Sequence, residues 1–220
     1  MELIIDSKLK QASGGRLALG TVSAHVRVRK HDEDLWAKIL QATVETQQAL
    51  TLEKLVSLQQ IAALRTTYKA LGKEPQRYRG SNEALLRRVL KGQGLYQVNN
   101  VVDVNNLISL TSRRSCGSYD LSQLSGRLVF GVGVEDAKYR GIGKEEINIS
   151  GLPVFCDDTG PFGSPTSDSE RAMIRPKSEK VLLVIIAFDG DEGLTAQMES
   201  AVSLLVRFCE ATNIFNTIIR

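Results

Sequence analysis

The residues of this chain best suited to chemistry fall in two polar loops, Asn99–Asp120 and Asp157–Arg171. The second reads Asp-Asp-Thr-Gly-Pro-Phe-Gly-Ser-Pro-Thr-Ser-Asp-Ser-Glu-Arg. Gly160 and Gly163 let backbone approach a ligand closely, and hydroxyls such as Ser164, Thr166 and Ser169 offer short-range hydrogen bonds. The adjacent carboxylates Asp157 and Asp158 can orient a water or hold a cation. The competing reading is a solvated connection in which Asp168 caps a turn. Its length raises the functional reading to parity, because long irregular loops in compact domains are often functional.

The first loop interleaves Asn99, Asn100, Asp103, Asn105 and Asn106 with Val101, Val102, Val104, Leu107 and Ile108. An amide donates and accepts at once, so this surface suits a polar ligand. The same amides can equally cap and brace neighbouring backbone. A third group is basic: Arg65, Arg77, Arg79, Arg87 and Arg88, with Tyr68 and Tyr78 among them. Arginine beside tyrosine can grip phosphates and stack on bases. Long basic side chains also coat helix faces without any such role.

The elements that position these groups follow from periodicity. Val22, Ala24, Val26 and Val28 alternate with Ser23, His25 and Arg27, the period of a half-buried strand. Residues 33–72 read as helices through Leu35, Ile39, Leu40, Leu58, Ile61, Leu64 and Leu71, with Gly72 as the stop. Ser81 is the expected N-cap of a further helix ending at Gly92. The span 99–110 is compatible with a helix of unusually polar face. Strands are expected at 127–134 and 147–156, a loop at 159–169, and an apolar, central strand at 181–187. A helix over 194–210, with Val202, Leu205, Val206 and Cys209 inward, closes the pattern. Helices first, then strands with short connections, imply an α+β fold with a mixed or antiparallel sheet flanked by helices, as one domain over residues 1–220.

Composition narrows the function classes. The 220 residues are 42% hydrophobic and 24% charged, with a net charge of +3 that permits nucleic-acid contact without announcing it. Three scattered cysteines, Cys116, Cys156 and Cys209, and two histidines, His25 and His31, argue against a disulfide framework and a metal centre. No cofactor is expected. No apolar run has membrane-spanning length, and the start lacks a secretory signal, so a cytoplasmic location is expected. The stretch at Gly141–Lys144 fails as a phosphate loop, because Glu145 follows the lysine and Lys138 replaces the first glycine. Gly131-Val132-Gly133 fails as a dinucleotide fingerprint at Asp136.

Three stretches carry a family likeness: Tyr68–Gly72 through Tyr78-Arg79 and Ser81–Arg88, then Asn99–Asn106, then Tyr119-Asp120-Leu121 with Phe162-Gly163. Across about residues 64–187 the chain resembles a stand-alone B3/B4 domain, the tRNA-binding and editing module of the bacterial phenylalanyl-tRNA synthetase β subunit. The resemblance implies one pocket shared by the Asn99–Asn106 segment and the Asp157–Arg171 loop. It also marks two departures. Gly117-Ser118-Tyr119-Asp120 stands where the module carries His-Ala-Phe-Asp, so the editing histidine is missing. Gly163-Ser164-Pro165 stands where it carries Gly-Gly-Glu, so its glutamate is missing too. The reading that results is a tRNA- or aminoacyl-end-binding module, either without chemistry of its own or, in one version, a deacylase acting in trans. In that version Asp168 or Asp157 positions the water, and Ser164, Thr166 and Asn105 hold the ester or amine. Asn99, Asn100, Asp103, Asn106, Tyr119, Gly163 and Ser169 complete the expected pocket. The alternative is a binder of an amino-acid-like small molecule, without RNA.

Overall fold

A computed structural model describes residues 2–220. Its elements run β1 (Leu3–Ile5), α1 (Ser7–Ala12), β2 (Ala18–His25), α2 (Glu33–Ala49), α3 (Leu52–Leu55), α4 (Gln59–Ala70), α5 (Ser81–Leu90) and α6 (Asn100–Ser112). Then come β3 (Ser115–Asp120), β4 (Leu128–Val132), β5 (Lys138–Arg140), β6 (Glu146–Asn148), β7 (Pro153–Asp157), β8 (Gly160–Gly163), β9 (Lys180–Ala187), α7 (Leu194–Cys209) and β10 (Thr212–Ile219). No helix among the described residues is long and apolar enough to cross a membrane.

Three layers result. The central sheet has the order β10-β2-β9-β3, all antiparallel. One face carries Val22, Ala24, Val181, Leu183 and Ile185 against Leu35, Ile39, Val104, Ile108, Ala201 and Leu205 of the helices. The other carries Leu19, Leu182, Val184 and Ile186 against Phe130, Phe155 and Phe162 of a second sheet, ordered β1-β4-β7-β8. In that sheet β1 and β4 run parallel, which makes the α+β fold a mixed one. The β5–β6 hairpin covers part of its outer face, burying Tyr139 and Ile149 against Val154.

Local chemistry explains the boundaries. Asp32 caps α2 by accepting from the Leu35 amide at 3.0 Å, and Leu35, Ile39, Ala42 and Thr43 then line the buried stripe. Expectation and structure part in five places. Gly80, not Ser81, is the N-cap of α5; Ser81 opens the helix and spends its amide on the Pro165 carbonyl, 2.6 Å away. The expected strand 147–156 breaks in two at Gly151, whose φ of +65° reverses the chain. The expected loop 159–169 contains β8. Leu40 and Val206 point to solvent, because neither lies on the stripe that its own helix buries. Finally, α7 is followed by a further strand, β10, where the sequence pattern predicts none.

One buried ion pair ties the central sheet to α7. Arg114, just before β3, donates Nε and Nη2 to the two carboxylate oxygens of Asp189 at 3.0 and 2.9 Å. Nη1 reaches Gln197 Oε1, and Nη2 also reaches the carbonyls of Gly190 and Glu192. Both side chains are almost wholly buried, so removing one charge strands the other in the interior. Arg114→Met should therefore lower unfolding stability by about 3–5 kcal/mol in urea titration. Combining it with Asp189→Leu should recover much of that loss.

Candidate functional site

The loop Ser164–Ser169 is where side chains from most layers converge. Tyr68 of α4 shares a 2.6 Å hydrogen bond with the Thr166 hydroxyl. Ser81, the first residue of α5, holds Pro165 as described. Tyr119 of β3 donates its hydroxyl to Asp168 Oδ1 at 2.8 Å, and the Ser164 amide donates to the same oxygen at 3.1 Å. Tyr139 of β5 donates to the Ser167 carbonyl. In the loop that joins β5 to β6, Ile142 donates its amide to the Asp168 carbonyl at 3.0 Å, and Gly141 bridges Ser169. The loop is thus fixed by three tyrosine hydroxyls and two backbone clamps.

Space around Asp168 is set by two glycines. A Cβ on Gly117 would lie 2.3 Å from the Tyr119 hydroxyl; one on Gly163 would lie 2.4 Å from that hydroxyl and 2.7 Å from Asp168 Oδ1. Tyr119 therefore fills the volume that a side chain at position 117 would need. Its ring is held edge-on against Phe162, centroids 4.9 Å apart.

Burial pushes the Asp168 carboxyl up to about 7, opposed by the Tyr119 and Ser164 hydrogen bonds that favour the charged form. The residue keeps part of its surface open to solvent, and its Oδ2 accepts no hydrogen bond from the described residues. Burial, then the neighbouring Asp168, hold the Tyr119 phenol well above its ordinary range, so it stays a donor. Burial likewise raises Tyr68 and Tyr139. Asp168 near neutrality with one free oxygen can take a proton from a bound water or ligand.

Asp157 has a different environment. Its oxygens accept from the amides of Ser125, Thr159 and Gly160 and from both terminal nitrogens of Arg171. Burial would raise it, but these bonds, Arg171 foremost, hold it below the usual carboxylate range. Five donors leave it no role but bracing the β7–β8 turn. Ser164 spends its hydroxyl on the Ser167 carbonyl within the loop, and Thr166 shares its own with Tyr68 of α4. Ser169 caps the following 3-10 turn by accepting from the Arg171 amide.

The asparagine-rich segment is the helix α6, and it lies against the opposite face of the central sheet from Tyr119. It does not share the Asp168 loop. Asn99 caps the helix through Val102. Asn100 is wholly buried, donating to the carbonyls of Arg27 and Phe208 and accepting from the Arg29 amide. Asp103 accepts from the Val98 amide, and burial raises it to about 6. Asn106 is half-buried, and Asn105 is buried with its Oδ1 unpaired among the described residues. Asn99 and Asn100 thus brace backbone.

Three of the five expected arginines do converge. Glu83 is 1% exposed and accepts from Arg65 at 3.0 Å and Arg87 at 2.9 Å, with Arg79 at 3.4 Å. Three guanidiniums on one carboxylate leave two positive charges in excess. Arg65 precedes Tyr68 by one helical turn, and Arg79 and Arg87 flank Ser81, so the cluster adjoins the Ser164–Ser169 loop. Arg77 and Arg88 instead lie over the rings of Tyr78 and Tyr96. Sequence reasoning missed Glu83 and Tyr139. Glu83, four residues before Arg87 on one helix face, was the available signal; Tyr139 in its short hairpin gave none.

Asp168 binds its proton more tightly folded than unfolded. The stability it supplies is complete below the ordinary value of 3.8 and is lost as pH rises through about 7. Asp168→Asn, which keeps both hydrogen bonds to Oδ1, should remove that decline. The variant should gain on wild type steadily across this window and hold a constant advantage above it, read from denaturation midpoints at each pH.

A family model described as the B3/4 domain matches residues 63–209. Among solved structures, an N-terminal fragment of the phenylalanyl-tRNA synthetase β-subunit from Pyrococcus horikoshii is similar at 13% identity, with a TM-score of 0.47. The alignment covers 99% of this chain and 50% of that one, so the chain spans half the length of that fragment. At this identity and score the likeness says nothing about activity. No curated protein matches the chain. With the family model covering most of its length, the chain belongs to the B3/4 domain family.

Proposed function

We propose that the chain is an RNA-directed binding module that receives the aminoacyl end of a tRNA at the Ser164–Ser169 loop, with Asp168 as the group able to activate water there. The observation that carries the reading is the adjacency of two unlike features. One is a carboxylate poised near neutrality with a free oxygen. The other is a patch with two excess positive charges, reached through the Ser81–Pro165 and Tyr68–Thr166 links. Phosphates are attracted to the second, and a tRNA held there would bring its terminal ester toward the first. Membership of the B3/4 family supports the tRNA-related reading at the level of the family.

In the hydrolytic version, Asp168 Oδ2 takes a proton from water as the water oxygen attacks the ester carbonyl. Collapse of the adduct breaks the acyl–oxygen bond, and the proton passes to the departing ribose hydroxyl. The products are free amino acid and uncharged tRNA. Tyr119 holds Asp168 from the other oxygen and acts as a positioning residue. Asp157 takes no part.

The second reading, a site for an amino-acid-like small molecule, draws on Arg77 and Arg88, which stack on their own tyrosines and leave the basic face less extensive than the sequence implied. Salt separates the two, because neutralised phosphates release counterions and a small zwitterion does not.

The deciding experiment measures amino-acid release and tRNA binding on a panel of charged tRNAs. Turnover should rise with pH through about 7 and be lost in Asp168→Asn. Arg79→Gln leaves Arg65 and Arg87 on Glu83, so the fold is kept; it should weaken tRNA binding and flatten the salt dependence by roughly one unit of log–log slope. Salt-steep binding without turnover would leave a binding module. Salt-insensitive or absent tRNA binding would overturn the RNA reading in favour of the small molecule.

A further inference from the structure

Strand β10 leaves an open edge that the rest of the fold takes care to avoid. The unpaired backbone of an edge strand is a template for another strand, and proteins blunt it by shortening, covering or charging it. Here β1 has only three residues, and β3 is buried along its whole length. The edge at β8 is sealed by Arg171, which donates to the Gly160 carbonyl, and by the Ser169 amide, which donates to the Phe162 carbonyl. By contrast, β10 is eight residues long, and Thr212, Asn213, Phe215, Asn216 and Thr217 are all exposed. Its sequence, Thr-Asn-Ile-Phe-Asn-Thr-Ile-Ile, has no charge and no proline. One bulge, between Thr212 and Phe215 where Asn213 has a φ of 49°, disturbs its first turn and leaves the remainder regular. Phe215 is 75% exposed, among the most exposed large apolar side chains of the described residues.

We propose that β10 is the surface through which two copies of the chain pair. The partner's chemistry follows from the strand. A charged partner strand would find no complement along it, whereas an uncharged strand meets its own copy without repulsion. Across a twofold axis the same residues serve both sides, and antiparallel pairing satisfies both edges at once. Phe215 pairs with Ser23 and Thr217 with Thr21, on the face of the sheet away from α7, where Gly20 meets Met198 and Leu194. With the axis near Phe215, the two aromatic rings would cover each other across the junction, and the two central sheets would become one.

Sedimentation equilibrium over a concentration series should give twice the chain mass for wild type, and the single-chain mass for Phe215→Lys and Thr217→Lys. Both side chains are exposed, so circular dichroism should show the fold intact. Phe215→Cys should form a disulfide with its own copy under mild oxidation, because residues near a twofold axis face themselves. Val134→Cys, at a position 74% exposed in another part of the molecule, should not. A single-chain mass for wild type at every concentration, or a dimer that both lysine variants leave intact, would overturn the proposal.

Discussion

From Val181 to Ala187, strand β9 has no side chain that can face water. Val181, Leu183, Ile185 and Ala187 point to one side and Leu182, Val184 and Ile186 to the other, all buried. A strand of this kind must be central, and both of its faces must be roofed. The helices α2, α6 and α7 roof one, and the second sheet roofs the other. Pairing with β9 then decides the sidedness of β3. Tyr119 opposes Leu182 and Gly117 opposes Val184, so both face the second sheet, whereas Cys116 opposes Ile185 on the helical side. A slip of one residue would exchange these faces and turn Tyr119 away from Asp168. The hydrophobic register of β9 therefore places the candidate site before any polar contact forms.

Polar contacts do the finer positioning, and Glu83 shows at what cost. Taking a carboxylate out of water costs several kcal/mol even after relaxation. Three arginines on a 1% exposed Glu83 compensate that cost beyond neutrality. As a device for stability alone the arrangement is inefficient, since well-packed apolar residues of similar volume do as well. What apolar residues cannot supply is the outward side of the cluster. Arg79 remains 42% exposed while it touches Glu83, so part of its guanidinium is free to meet an external anion. Glu83 sets the direction of the arginines more than it neutralises them.

The large features were legible because they rest on periodicity. The apolar run at 181–187, the alternation before it and the helical stripes of α2 and α7 all follow from counting. Asn99 and Asn100 illustrate what was not. A sequence shows amides beside valines, but whether those amides meet a ligand or a carbonyl depends on which backbone passes nearby. Arg27, Arg29 and Phe208, the partners of Asn100, lie about seventy residues before it and about a hundred after. The same limit applies to the carboxylates. Asp157 and Asp168 look alike in the sequence, yet Arg171 claims one while tyrosines and burial shape the other. Strand β10 escaped because it is exposed on most positions, which removes the contrast that marks a strand.

The exchange at positions 117 and 119 ties the site's chemistry to its packing. Against the module it resembles, the chain has lost a histidine at 117 and carries tyrosine where that module has phenylalanine. The two changes are linked in space: the Tyr119 hydroxyl occupies what a side chain at 117 would fill, so the two side chains exclude each other. The added hydroxyl is what holds Asp168. Together the two differences leave no imidazole at 117 and place at 119 the partner of a carboxylate whose proton affinity burial has raised to about 7, near the value imidazole has in water. On the proposed reading, the group able to accept a proton lies on the loop beyond β8 and not on β3. A single positioned base is typically worth about 10²–10⁴-fold in rate. On the proposed reading, any hydrolysis here would therefore depend as well on how firmly the arginine cluster and the clamped loop hold the ester.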